Sequence, residues 1–171
     1  MEKKNQHIMY GFIAGVAMVV INLVLYLTGM SFKPGAQYIS SIPFLVCIIL
    51  NAIAFSKAND GFVTFGNVFG NCFKASMIVT LIIVGWSVIS MFVFPEMKDK
   101  ALNMAQEQMA KNPQVTDEQI DMAMGITKKY WNTFLIAGAI FGTLIYGVIF
   151  SLIGAIVAQK KGKAPITSDH F

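Results

Sequence analysis

Between Lys74 and Glu96 the chain reads KASMIVTLIIVGWSVISMFVFPE, and the 21 residues between these two charges contain no Asp, Glu, Lys or Arg. A helix needs about 20 mainly apolar residues to cross the hydrocarbon core of a bilayer. The run is continuous rather than alternating, which excludes a strand of a transmembrane barrel. A helix is then the structure that satisfies its own backbone in lipid. Outward from this run, three more charge-free gaps are long enough: 28 residues between Lys4 and Lys33, 23 between Lys33 and Lys57, and 30 between Lys129 and Lys160. Four spans follow, at about residues 8–30, 36–55, 65–94 and 134–158.

Composition agrees. Of 171 residues 56% are apolar and 13% charged, against the ~25% charged of an ordinary soluble domain. Mean hydropathy is +0.62. A soluble domain this small has too much surface to hide so much apolar matter, and disordered chains are charge-rich instead. Two cysteines, Cys47 and Cys72, make no disulfide framework. Thirteen lysines with no arginine and a net charge of +4 make no nucleic-acid recognition surface.

Local signals set the span ends. Asp60-Gly61 is a turn, Thr64 is a candidate N-cap, and Val63 and Val68 have the spacing of a hydrophobic staple. Pro95 stops the third span. In the second span Pro43 is expected in the first turns, where a missing N–H does little harm. Lys128, Lys129, Tyr130 and Trp131 before the fourth span, and Lys160-Lys161 after it, are interfacial anchors. The apolar run of the first span exceeds a signal-peptide core, and neither end carries a lipidation box, so neither processing nor an anchor is expected.

Residues 95–133 are the one sizeable polar stretch. They read as two helices broken at Asn112-Pro113, the first with an apolar line at Met97, Ala101, Ala105 and Met109. The second opens on a capping-box pattern, Thr116-x-x-Gln119, and presents Ile120, Ala123/Met124, Thr127 and Trp131 on one face. The stretch is expected to form a helical hairpin outside the membrane. The hairpin methionines, Met97, Met104, Met109, Met122 and Met124, could suit a soft metal. Adaptable packing is the plainer reading, so no metal or cofactor is expected. The whole is an all-α single membrane domain: a four-helix bundle with an extramembrane helical hairpin between the third and fourth spans.

Sidedness rests on lysines near span ends. Lys3, Lys4, Lys57, Lys74, Lys160, Lys161 and Lys163 share the side of the termini, against six lysines on the other. The clustered tails and shorter loops favour termini in the cytoplasm.

Candidate functional residues are few. The spans hold no Asp or Glu, which proton-coupled transport generally needs. Lys74 shares a helix face with Gly66 and Gly70, with Asn67 and Asn71 beside it, and this could contact an anionic lipid or another anion near the helix start. A snorkelling interfacial lysine is the simpler account. Asn22 and Asn51 read as interhelical hydrogen-bonding residues. His7 and His170 are isolated, and no catalytic, phosphate-loop or zinc motif occurs. Gly11/Gly15, Gly66/Gly70 and Gly138/Gly142 are small-residue pairs at helical spacing. They suit either packing within one bundle, which is preferred, or a homo-oligomer face.

The run Asp60-Gly61-Phe62-Val63-Thr64-Phe65-Gly66, continued by Phe69 and by Phe73-Lys74, resembles the signature of a bacterial integral membrane family catalogued as domain of unknown function 4199. The resemblance covers nearly the whole chain, including the Pro95-Glu96 end of the third span and the helical outer segment. It implies a four-span protein of the bacterial cytoplasmic (inner) membrane and no activity. It also suggests the company of membrane-associated glycosyltransferases, hence an envelope-lipid setting. The expected function is a non-enzymatic accessory or scaffold subunit with a membrane protein partner. The alternative is a carrier or binder of an anionic lipid or other small molecule, through Lys74, Asn67 and Asn71 with Asn22 or Asn51.

Overall fold

The computed structural model describes residues 5–31, 33 and 35–162. Lys3, Lys4, Lys163, Asp169 and His170 lie outside them. Six helices follow one another among the described residues: α1 (Gln6–Leu27), α2 (Ala36–Ala58), α3 (Phe65–Val93), α4 (Glu96–Ala110), α5 (Asp117–Lys129) and α6 (Trp131–Val157). Among the described residues there is no strand. Four helices among the described residues, α1, α2, α3 and α6, are long and apolar enough to cross a membrane. The chain forms two compact units: one runs up to Ile83 and resumes at Gly142, and the other is Val84–Phe141.

In the first unit the turns are fixed by backbone chemistry. At the end of α1 the Met30 N–H donates to the Leu25 carbonyl and the Gly29 N–H to the Tyr26 carbonyl. Those two bonds are a Schellman motif, which requires a left-handed residue, and Gly29 supplies it at φ 69°. The end of α2 repeats the pattern, Gly61 N–H to the Ser56 carbonyl and Asp60 N–H to the Lys57 carbonyl. Here the left-handed residue is Asp60, at φ 52°. A few residues on, α3 begins with Thr64 as its cap, and the stapling residues Val63 and Val68 are both buried.

All four apolar helices contribute to one core. It gathers Ala14 of α1, Phe44, Ile48 and Ala52 of α2, Val68, Cys72, Ala75 and Val79 of α3, and Phe150 and Ala155 of α6. Phe44 and Phe150 meet edge to face at 5.2 Å between centroids. The outer faces are as apolar as the core: Leu81, Ile145 and Ile156 are exposed. Lipid is the solvent such a surface matches. Helix α2 starts at Ala36 as expected, and Pro43 lies about two turns inside it. Its ring removes one interior backbone hydrogen bond there.

In the second unit α4 and α5 pack as a hairpin whose buried side chains are Leu102 and Ile120. The apolar line of α4 is therefore displaced: Met97, Ala101, Ala105 and Met109 are half-buried, and Leu102 is the residue that is enclosed. Thr116 caps α5 with both arms of the capping box, at 3.4 Å from the Gln119 N–H and 3.0 Å back from Gln119 Oε1 to the Thr116 N–H. On α5 the residue that is fully buried is Ile120, with Ala123, Met124 and Thr127 half-buried along the same row, as their spacing requires. A single residue, Tyr130, separates α5 from α6, so the last span begins at Trp131.

Candidate functional site

The spans hide a polar seam. On α3, Cys72, Ser76 and Thr80 follow at four-residue steps and all are buried. The Ser76 and Thr80 hydroxyls donate to the carbonyls one turn back, Cys72 at 3.1 Å and Ser76 at 3.0 Å. Ser76 Oγ also lies 3.4 Å from Ser151 Oγ of α6 and 3.5 Å from the Gly147 carbonyl. From α2, the Asn51 amide donates to Asn71 Oδ1 at 2.9 Å and to Cys72 Sγ at 3.7 Å. Cys72 in turn donates to the Ile48 carbonyl at 3.7 Å. Asn51 is fully enclosed, and its Oδ1 has no hydrogen-bond partner among the described residues. Each such bond contributes modestly in lipid, ~0.6–2 kcal/mol. Together they fix α2, α3 and α6 side by side.

The candidate anion-contact residues are placed differently from one another. Asn67 is exposed and is engaged at the cap of α3: its Oδ1 accepts from the Thr64 hydroxyl and, at 3.2 Å, from the Thr64 N–H. Asn71 is half-buried and turned to Asn51. Lys74 lies close enough to His7 of α1 to act on it electrostatically, and its side chain is exposed. No hydrogen bond joins Lys74 to either asparagine among the described residues. Beside them Phe65, Phe69 and Phe73 stack in parallel, with centroids 6.4 and 6.0 Å apart. Asn22 is half-buried on α1.

The glycine pairs also differ. A β-carbon on Gly11 would stand 2.6 Å from the Ala75 carbonyl oxygen, and one on Gly15 2.6 Å from Ile82 Cδ1, so this pair is the seat of α1 on α3. Around Gly66, Gly70, Gly138 and Gly142 nothing lies within 4 Å of such a carbon. Two glycines outside the three pairs close the seam instead: Gly147 against Ser76 at 2.8 Å and Gly154 against Ala52 at 3.2 Å.

Sequence reasoning misses a clasp between the α2–α3 turn and the chain leaving α6. The Ser56 hydroxyl, which is buried, donates to the Gln159 carbonyl. The Lys161 N–H donates to the Gly61 carbonyl at 2.7 Å, and Lys161 Nζ stands 5.5 Å from the centre of the Phe62 ring. Lys160 folds back to cap α6, donating to the Ala155 and Ala158 carbonyls at 2.6 and 2.7 Å. The turn Asp60-Gly61 and the lysine pair are each visible in the sequence. What joins them, across about a hundred residues, is not.

The hairpin methionines are half-buried at Met97, Met104, Met109 and Met124, and exposed at Met122. Among the described residues no three His, Cys, Asp or Glu side chains are grouped where they could hold a metal ion.

The chain belongs to the family described as proteins of unknown function, DUF4199, whose model matches residues 9–160. No curated protein and no solved structure matches it.

Proposed function

We propose that this member of the family is a non-catalytic subunit of the bacterial cytoplasmic membrane, an accessory or scaffold protein in envelope or membrane-lipid processes. The observation that carries the reading is the contrast among its glycines. Gly11, Gly15, Gly147 and Gly154 are filled by neighbouring helices, whereas Gly66 and Gly70 stand open beside an aromatic ladder. Small residues at this spacing let a second backbone approach closely. An open pair on the leading turns of α3 is a seat for a span of a partner protein, for which a membrane glycosyltransferase is the candidate.

A second reading, a binder of anionic lipid, is favoured by the exposed Lys74 side chain on the leading turns of α3. One experiment separates them. The full chain and its G66L/G70L and K74A variants are purified from native membranes in mild detergent, and co-purifying proteins and lipids are identified. Docking requires G66L/G70L to lose a protein partner that K74A keeps. Loss of an anionic lipid by K74A alone, with the same proteins captured by all three, would overturn docking in favour of the second reading.

A further inference from the structure

The clasp between the α2–α3 turn and the chain leaving α6 borders a half-open cavity of about 440 Å³ at the end of α2 and α6. Its lining divides into two parts. Lys57, Asp60 and Lys161 line the turn side; the Lys57 and Asp60 side chains are exposed, and Lys161 Nζ stands over the Phe62 ring at 5.5 Å. Ile53 and Val157, the last turns of two spans, form the membrane side. The walls are held by the Lys161 N–H on the Gly61 carbonyl at 2.7 Å and by the Ser56 hydroxyl on the Gln159 carbonyl. The Lys161 methylenes lie 3.3 Å from where a Gly61 side chain would begin, a close approach that the flexible lysine could relieve, and it is the φ of 79° that favours glycine there.

We infer that this cavity is a headgroup site for a zwitterionic phospholipid bearing a phosphate and a primary amine, that is, a phosphoethanolamine headgroup. Three observations converge. The charges in the cavity are of both signs, yet among the described residues neither Lys57 nor Asp60 has a hydrogen-bonded or ionic side-chain partner, so both are available to a ligand. The Lys57 ammonium, joined by that of Lys161 when it leaves the Phe62 ring, suits a phosphate, and the Asp60 carboxylate suits an amine. The apolar half continues onto α2 and α6, so the occupant carries chains that lie along the spans rather than dissolving in water. The position, where two spans end, is the level at which lipid phosphates sit. Asp60 marks the selectivity: it occupies a left-handed position that glycine or asparagine fills at less strain, φ 52°. The site is separate from Gly66 and Gly70 and does not rest on partner docking.

The test uses the full chain in detergent micelles, with binding read by native mass spectrometry and by competition against a fluorescent phospholipid. The probes are phosphatidylethanolamine, phosphatidylglycerol and water-soluble phosphoethanolamine. Wild type is expected to prefer phosphatidylethanolamine, and K57Q/K161Q to bind it about tenfold more weakly. D60N, which keeps a residue suited to the left-handed turn, is expected to bind phosphatidylglycerol at least as well as phosphatidylethanolamine. Equal affinity of wild type for the two lipids, unaltered in D60N, would overturn the inference. So would binding of soluble phosphoethanolamine as tight as that of the lipid, since the acyl chains would then play no part. Should K57Q/K161Q fail to fold, the selectivity of D60N decides alone.

Discussion

Gly11 and Gly66 each open a Gly-x-x-x-Gly pair, yet a methyl group has opposite consequences at the two. At Gly11 it meets a backbone oxygen at 2.6 Å, and a backbone oxygen has no rotamer to escape into. Helices α1 and α3 must separate, which weakens the van der Waals packing that holds helices together in lipid. Gly11→Ala is therefore expected to destabilise the bundle by about 1–3 kcal/mol. Gly66→Ala meets nothing within 4 Å and trades a poor helix former for the best one. It is expected to be neutral, or stabilising by up to ~1 kcal/mol. Thermal unfolding in one detergent checks both; equal midpoints would mean that α1 does not rest on α3 through Gly11. The same comparison shows why two identical spacings cannot be told apart in the sequence. The pattern states that a close approach is possible, and only the neighbour decides whether it happens.

Elements differ in how much of themselves they advertise. The hairpin is wet on one side, so its pattern is informative: Ile120 and its row turn inward as the spacing requires, and the capping box of Thr116 and Gln119 forms with both arms. Thr116→Ala is expected to cost about 1 kcal/mol of helix stability. Leu102→Ala, which empties the small core shared with Ile120, is expected to cost about 2–3 kcal/mol. Hydrogen exchange should show both losses in residues 96–129 and leave the amides of α2 unchanged, as expected for a unit that opens by itself. Equal acceleration in α2 would mean that hairpin and spans open together. The spans are the opposite case. Their lengths and ends are readable because charge, proline and capping residues are local signals. Their inward faces are not, since lipid is as apolar as the core and leaves no amphipathic stripe. Ser76 and Ser151, 75 residues apart, look like any serines until the helices meet. Asn67 reads as a ligand group in the sequence, and in the structure its Oδ1 accepts from Thr64 instead, a competition that no spacing reveals.

At the scale of the molecule, four apolar helices that each cross once are expected to leave the α2–α3 turn and the chain leaving α6 on one side of a membrane and the stretch between the third and fourth spans on the other. Which side is which is a question of lysines, and seven against six is a narrow margin. The clasp adds a physical argument. Lys57, Lys160 and Lys161 gather where α2 and α6 end, so the lysines of that side are concentrated at span ends, the place where the orientation rule counts them. Both termini are accordingly expected in the cytoplasm. The native thiols, Cys47 and Cys72, are buried and should stay silent to a membrane-impermeant maleimide. A cysteine at Gln108, exposed on α4, should react in intact cells. One at Gln159, whose exposed side chain is separate from the carbonyl that Ser56 uses, should react only after the membrane is opened. The reverse pattern would invert the protein, and with it the leaflet that the headgroup cavity faces. The cytoplasmic leaflet carries the anionic lipids that attract lysines near the surface. In that leaflet a cavity with two lysines and no acid would fill with any anionic headgroup. Asp60 is the group that turns such a cavity from an anion trap into a selective site, so sidedness and selectivity stand as one prediction at this scale.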